Sequence, residues 1–279
     1  MLKRTDRNSR LLLNTSRMSE QETVLRFRVQ AKDALAFWLA DTLDDLTFMT
    51  CAGRAYSLNT DGSTRTGTQI PQLRFASDVT APTGNRIIFA GSATSEASLT
   101  VNDTMTWNLV ISAKAFAKRK RLRPIRAGGR SYYVLVLSTE QCRDLEQSSD
   151  YKTLQAQAMP RGMDNPLFTN AKRVISDVVI YDHQKLFNTL GMTSGSKWGA
   201  AGTVDGAQAM LMGAQSVGMA QLTDGSPGFE ESDKTDYGNR QGLGIGRIFG
   251  FRKSVYKSRY DNNSSEDYGI VHLKTAARA

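Results

Sequence analysis

Apolar residues recur at helical spacing over one long stretch near the start of the chain. Val24, Phe27, Ala31, Ala34, Leu35, Trp38, Leu39, Leu43 and Leu46 form a stripe, the pattern of an amphipathic helix. Ser19-Glu20-Gln21-Glu22 precedes it and has the Ser-x-x-Glu form of a capping box, which satisfies two orphan amides at a helix start. Neither Pro nor Gly interrupts until Gly53. The pattern predicts a helix over Ser19–Phe48, a rod of ~45 Å at ~1.5 Å per residue. A second helix is expected over Val101–Arg121. Thr100 and Asp103 resemble another cap, Val101, Met105, Leu109, Ala113, Phe116 and Ala117 give an apolar face, and Pro124 ends it. A third, Thr139–Gln147, follows Ser138 as its N-cap.

Between these helices the pattern changes to short apolar runs bounded by turns. Tyr132–Leu137 and Val174–Tyr181 read as strands, the first entered through Gly128-Gly129. Ile70–Phe75 and Arg86–Ala90 are weaker strand candidates in a stretch, Gly53–Gly91, rich in Thr, Ser, Gly and Asn. Gly244–Tyr256 and Tyr268–Lys274 read as two strands joined by a polar loop, Lys257–Asp267. Ala207–Met219 alternates small residues and methionines and reads as a packed helix or a strand–helix pair. Residues 1–17, around Leu11-Leu12-Leu13, read as a surface arm or a single strand. Tyr151–Thr169 reads as irregular, Gly191–Gly206 as a flexible loop and Asp224–Gly228 as a turn. Helices and strands mix without strict βαβ alternation, which predicts the α+β class.

The chain has 279 residues and is 40% hydrophobic, enough for a core in one large domain or two smaller ones. No run approaches the roughly 18 apolar residues of a membrane span, so no membrane partner is expected. Two cysteines, Cys51 and Cys142, sit in different elements and suggest no disulfide framework. The net charge is +9, and it is placed unevenly. Between Asp103 and Glu140 there is no acidic residue but eight basic ones, Lys114, Lys118, Arg119, Lys120, Arg121, Arg123, Arg126 and Arg130. Such a block can meet nucleic-acid phosphate or an acidic patch on a neighbouring protein. It can equally be a solvated helix end favoured by the macrodipole.

Catalytic and cofactor chemistry finds little support. Gly191-Met192-Thr193-Ser194-Gly195-Ser196-Lys197-Trp198 has the outline of a phosphate-binding loop, yet Trp198 stands where that motif needs a hydroxyl. Gly242, Gly244 and Gly246 precede or enter a strand, whereas a dinucleotide fingerprint opens a helix. Asp44 and Asp45 are adjacent on a predicted helix and point about 100° apart, so they make no acid/base dyad; Asp233 and Asp236 are close in sequence only. His183 follows Tyr181-Asp182 with no Gly-x-Ser-x-Gly elbow or nucleophilic cysteine beside it, and reads as a satisfied loop histidine. His272 reads as a structural or interface residue of the last strand. With only two histidines, a His-rich metal site is impossible. No cofactor is expected.

The order of elements resembles the major capsid proteins of tailed bacteriophages, in particular those of N-four-like podoviruses. The likeness is carried by Arg17-Met18-Ser19-Glu20-Gln21, by Tyr132–Leu137 followed by Gln141 and Asp144-Leu145, by Asn165-Pro166-Leu167-Phe168 and by Gly206–Gln215. Its most specific part is the tail: Asp236-Tyr237-Gly238-Asn239, Gly246-Arg247-Ile248-Phe249-Gly250 and Asp267-Tyr268-Gly269-Ile270-Val271.

This resemblance implies the Hong Kong 97-type capsid fold, with a long spine helix, a peripheral-domain sheet and an axial-domain sheet flanked by helices. It implies an N-terminal arm over residues 1–18 and a peripheral domain over 19–100. An axial domain would follow over 101–243, with return strands to the peripheral domain over 244–279. It also implies a structural protein and not an enzyme, self-assembled into the hexamers and pentamers of an icosahedral head around double-stranded DNA. Portal and decoration or companion proteins would be its further partners, and the virion, assembled in host cytoplasm, its location. The basic block then becomes a candidate contact with DNA or a neighbouring subunit. In the family an arm and an extended β-hairpin normally precede the spine helix; only about eighteen residues precede Ser19. An upstream portion, a separate chain or the Gly53–Gly91 stretch would have to supply that hairpin, and an upstream portion is the favoured reading.

Overall fold

The structure is a computed structural model that describes residues 8–16, 27–65, 79–127, 129–158, 173–222, 228–235, 240–259 and 261–277. Ile70–Phe75, the Ser19–Glu22 cap and most of the Asp224–Gly228 turn lie outside the described residues. The chain divides into two compact units. One comprises Met1–Thr47, Thr66–Ser77 and Met219–Phe251; the other comprises Phe48–Arg65, Asp78–Gly218 and Arg252–Ala279.

In the first unit, the predicted long helix is α1, Phe27–Ala52, whose last turn from Phe48 belongs to the second unit. Of residues 1–17, Asn8–Ser16 form a strand, one of the two readings of that stretch: β1 (Asn8–Ser16) pairs antiparallel with β10 (Arg240–Lys253), Asn8 opposite Ile248 and Ser16 opposite Arg240. β8 (Val217–Gln221) and β9 (Gly228–Thr235) also pair with β10. Leu243 and Ile245 of β10 pack on Leu35 and Leu39 of α1, with Trp38 and Leu43 alongside. The intervening glycines, Gly242, Gly244 and Gly246, are therefore strand residues on the opposite face, which disposes of a dinucleotide loop.

The second unit is built on a mixed sheet. Its strands are β2 (Ile87–Phe89), β4 (Arg130–Leu137), β5 (Arg173–Ile175), β6 (Val178–Asp182), β7 (Gly206–Met212) and β13 (Ile270–Ala276). Their order is β2-β13-β7-β4-β6-β5, and β3 (Ile125–Ala127) pairs with β4. β13 runs antiparallel to β7 and parallel to β2; β4 runs antiparallel to β7 and parallel to β6. All seven residues of β13 are buried, because it has neighbours on both edges and packed layers on both faces.

Period-two alternation sorts the side chains between those layers. Leu135, Leu137, Ala209, Leu211, Val271 and Leu273 face a core shared with α2 (Trp107–Arg119), α3 (Thr139–Gln147) and α4 (Ser149–Ala158), through Val110, Ala113, Ala117, Leu145 and Tyr151. Val136, Met210 and Ile270 face the other way, toward Cys51 and Phe48 at the end of α1.

Several expectations are corrected. α2 starts at Trp107 behind the cap Thr106, whose side chain accepts from the Leu109 amide. Asp103 instead accepts from the Thr100 amide and hydroxyl in a turn ahead of the helix, leaving Val101 exposed. Tyr151–Ala158 is helical as part of α4, not irregular. Ala207–Met219 is not a helix but β7 and the start of β8: a strand buried on both faces loses the alternation that would announce it. Val174–Tyr181 is a hairpin, its two-residue turn formed by Ser176 and Asp177 at φ 52° and 63°, the twist a tight hairpin demands. The polar loop Lys257–Asp267 holds a hairpin of β11 (Val255–Ser258) and β12 (Ser264–Asp267). The Ser138 cap of α3 is present as expected, closed reciprocally by Gln141. Among the described residues no helix is long and apolar enough to cross a membrane.

Candidate functional site

All eight residues of the basic block belong to the second unit, spread from α2 through the β3–β4 hairpin. They divide into two kinds. Lys114 donates to Ser176 and lies 3.1 Å from the Asp177 carboxylate, which ties α2 to the β5–β6 turn. Lys120 donates to Asp261 at 2.6 Å, and that hydrogen bond holds the Asp261 carboxyl below its ordinary range. The other six, Lys118, Arg119, Arg121, Arg123, Arg126 and Arg130, are exposed. Arg119 lies over the Phe116 ring at 5.4 Å. Arg121 takes the left-handed conformation, φ 56°, where α2 ends and the Leu122 amide returns to the Ala117 carbonyl. Arg123 is pinned through its backbone carbonyl, which accepts from the Ala214 amide. Arg126 and Arg130 stand on paired strands whose turn includes Gly129 at φ 77°.

Two clefts flank this surface. Lys118, Pro124, Arg130, Ser131, Tyr133 and Asp177 line one of about 380 Å³. Arg119, Lys120, Arg121, Ser258 and Asp261 line another of about 200 Å³. Both combine cationic side chains with a carboxylate that is already paired to a lysine.

A second charged constellation was not anticipated from the sequence. It lies on the sheet face toward the end of α1. The helix closes in a Schellman arrangement: the Gly53 amide returns to Thr50 and the Arg54 amide to Met49, with Gly53 at φ 68°. Gln208 then caps what is left. Its amide nitrogen donates to the Ala52 carbonyl at 2.9 Å and to His272 Nδ1 at 2.9 Å, and its Oε1 accepts from Arg54 Nε at 3.2 Å. Since Gln208 donates to Nδ1, the neutral imidazole carries its proton on Nε2, 3.5 Å from Asp267 Oδ2. Asp267 also accepts from Lys253 at 3.0 Å, with both side chains 2% exposed. Glu96 receives Arg54 at 2.5 Å and Lys274 at 2.6 Å, and the Arg54 guanidinium stacks 4.4 Å from the Phe187 ring centroid. Nearby, Arg86 and Glu266 are both 0% exposed, with Nε and Oε2 3.2 Å apart. Tyr256 accepts from Arg86 at 2.6 Å, and Asn85 donates to Glu266 at 2.8 Å.

The protonation states follow from these partners. Burial pushes His272 down to about 4, against the pull of Asp267. Burial would raise the Asp267 and Glu96 carboxyls, but the cations and hydrogen bonds around each outweigh it and hold both below their ordinary values. Burial pushes the Cys51 thiol up to about 12, so it is an apolar core group and no nucleophile. Such a network holds elements together. His183 likewise packs on Phe48, ring centroids 4.4 Å apart, and its Nδ1 accepts from the Lys185 amide. In the Gly191–Gly206 loop Lys197 pairs with Asp205, while Trp198 is buried. No group of three or more His, Cys, Asp or Glu among the described residues could hold a metal ion.

Residues 4–279 match the phage capsid protein family. The chain is 35% identical over 275 residues to the major capsid protein of Pseudomonas phage KPP25, covering 95% of this chain and 72% of that protein. Among solved structures, the capsid of Ralstonia phage GP4 superposes with a TM-score of 0.77 at 23% identity, over 98% of this chain and 73% of that one. The capsid of Cyanophage Pam1 follows at 0.70 and 18%, over 97% and 74%. These likenesses define a shell protein with the Hong Kong 97-type fold. The chain belongs to the phage capsid protein family. Its function is that of a major capsid subunit, self-associating into an icosahedral phage shell and so part of the virion.

Proposed function

We propose that this subunit closes its shell from hexamers and pentamers and that the shell encloses double-stranded DNA. The observation that carries this reading is the match to the capsid family along residues 4–279. In this reading α1 is the spine of a peripheral domain, assembly takes place in host cytoplasm, and a portal and decoration or companion proteins complete the head. The subunit works by association, many moderate interfaces summed over a closed lattice, and needs no catalytic group. The exposed basic residues from Lys118 to Arg130 form one of its contact surfaces. Electron microscopy of the purified protein tests the reading: closed shells with five- and six-fold capsomers are expected. Soluble monomers under every assembly condition would overturn it.

A further inference from the structure

The chain carries an apolar knob on one unit and an aromatic-walled cleft on the other. The knob is Phe37, the most exposed of the large apolar residues among those described, at 76%. It stands on the side of α1 turned away from Leu35 and Leu39, which pack on β10. Helical spacing puts Val29, Asp33, Ala40 and Asp44 on that same outward side, and all four are exposed. The face is therefore an aromatic anchor between two carboxylates, while Lys32 is paired with Glu231.

The cleft lies in the second unit and has a volume of about 500 Å³. Its walls include Val217, Val255, Tyr256 and Tyr268, and Gly218 leaves the β8 side without a side chain. The Tyr256 and Tyr268 rings meet edge to face with centroids 5.4 Å apart, and Arg86 donates to the Tyr256 hydroxyl at 2.6 Å. The aromatic wall is thus fixed before anything docks, which lowers the cost of docking, and an incoming ring gains edge and face contacts there. The rim is cationic. Lys257 shares the strand face of Val255, the Arg252 carbonyl lies beside Gly218, and both side chains are exposed. The acids of this stretch do not offset them, since Asp261 pairs with Lys120 and Glu266 and Asp267 are buried.

Knob and cleft match in kind and in charge, and both belong to a chain that associates with itself. The carboxylates beside Phe37 repel a nucleic acid. A contact between two α1 helices would set Asp33 and Asp44 of one copy against the same acids of the other. A knob-to-cleft contact pairs them with cations, and a head-to-tail contact of this kind generates rings where the rotation closes. We infer that Phe37 of one subunit seats in the Val217, Tyr256 and Tyr268 cleft of the next copy of the chain, with Asp33 and Asp44 facing Arg252 and Lys257. The inference rests on the reading above that the shell is closed from rings of subunits.

The test is disulfide trapping between two differently tagged copies of the full chain. One carries Phe37→Cys; the other carries Val255→Cys or, in a second mixture, Gln215→Cys, which also lines the cleft. The native Cys51 and Cys142 are buried and stay silent. After mild oxidation, a mixed disulfide dimer is expected on a non-reducing gel, with little product from the Phe37→Cys chain alone. In parallel, Phe37→Ser is expected to raise the protein concentration at which shells form by about tenfold or more, while its urea midpoint stays near the parent's because the ring is exposed. Absence of the mixed disulfide in both mixtures overturns the inference. So does a Phe37→Cys chain that links to itself as readily as to the cleft chain, which makes the contact one between α1 helices. So does Phe37→Ser that forms shells at the parent's concentration. A mixed disulfide from a parent chain that forms no closed shells counts against the shell reading and leaves this contact standing.

Discussion

The second unit holds two concentrations of charge that obey opposite rules. Along Lys118–Arg130 the cations are neighbours in sequence and, apart from Lys120, which pairs with Asp261, exposed. Around His272 the cations are paired to acids: Lys253 with Asp267, Lys274 and Arg54 sharing Glu96, Arg86 with Glu266. Solvent makes the first arrangement tolerable, since water screens like charges on a surface. Burial makes the second obligatory, because a buried charge without a partner is among the costliest things a core can contain. The first leaves charge available to something outside the molecule; the second spends its charge fixing β13, β7, β12 and the end of α1 against one another.

The comparison breaks most sharply at Arg86 and Glu266. Both are fully buried, and the Nε–Oε2 contact at 3.2 Å is an ion pair without the alignment of a strong hydrogen bond. Glu266→Gln leaves the guanidinium buried without a counter-charge. A loss of roughly 3–5 kcal/mol of unfolding free energy is expected, measured by urea denaturation of the unassembled subunit. Replacing both residues by apolar ones of similar volume is expected to cost much less, since the same desolvation that punishes a lone charge is then relieved. Equal losses in the single and double variants would mean the pair does not govern the packing there.

Acid separates the two regions next. His272 titrates near 4 in the folded chain against an ordinary 6.5. Between those values the unfolded chain takes up a proton that the native state refuses, so stability falls as pH falls through that window. A shift of this size corresponds to about 3 kcal/mol. Asp267 and Glu96, held below their ordinary values, act in the same direction: each contributes above its unfolded pKa and is lost as pH falls through its folded one. Burial sets the sense, and of the groups facing His272 the cations Lys253 and Lys274 add to it while Asp267 opposes it, since a protonated ring would add a third cation to that face. Melting temperature followed from pH 7 toward 4 should fall in the parent and fall distinctly less in His272→Gln. An identical profile in both would place the acid sensitivity elsewhere.

What the sequence disclosed follows the same division between local and distant. Ser138 with Gln141 could be read as a helix start because both halves of the cap lie within one turn. The basic block could be read because its members are consecutive. The buried network could not: Glu96 and Lys274 are 178 residues apart, and Gln208 and His272 are 64 apart. Their only trace is a polar residue at alternate positions of two strands, His272 and Lys274 on one and Gln208 on the other. Ala207–Met212 misled for a related reason, since being covered on both faces erased its period. The start of α2 was placed too early because Thr100 and Asp103 do bond as a cap would, but around a turn.

At the small end of the scale the comparison can be drawn within the basic block itself. Lys114 and Arg126 carry the same charge and lie twelve positions apart in sequence, yet one is tied to Asp177 and the other stands exposed. Lys114→Gln removes a pair whose acid is half in solvent, 54% exposed, and water screens most of what it is worth, so a cost below about 1 kcal/mol is expected. Arg126→Gln touches nothing buried, so its stability should stay within about 0.5 kcal/mol of the parent. Chemical denaturation of the same two variants measures the order. If Arg126→Gln cost more than Lys114→Gln, the division of this block into holding cations and exposed cations would be wrong.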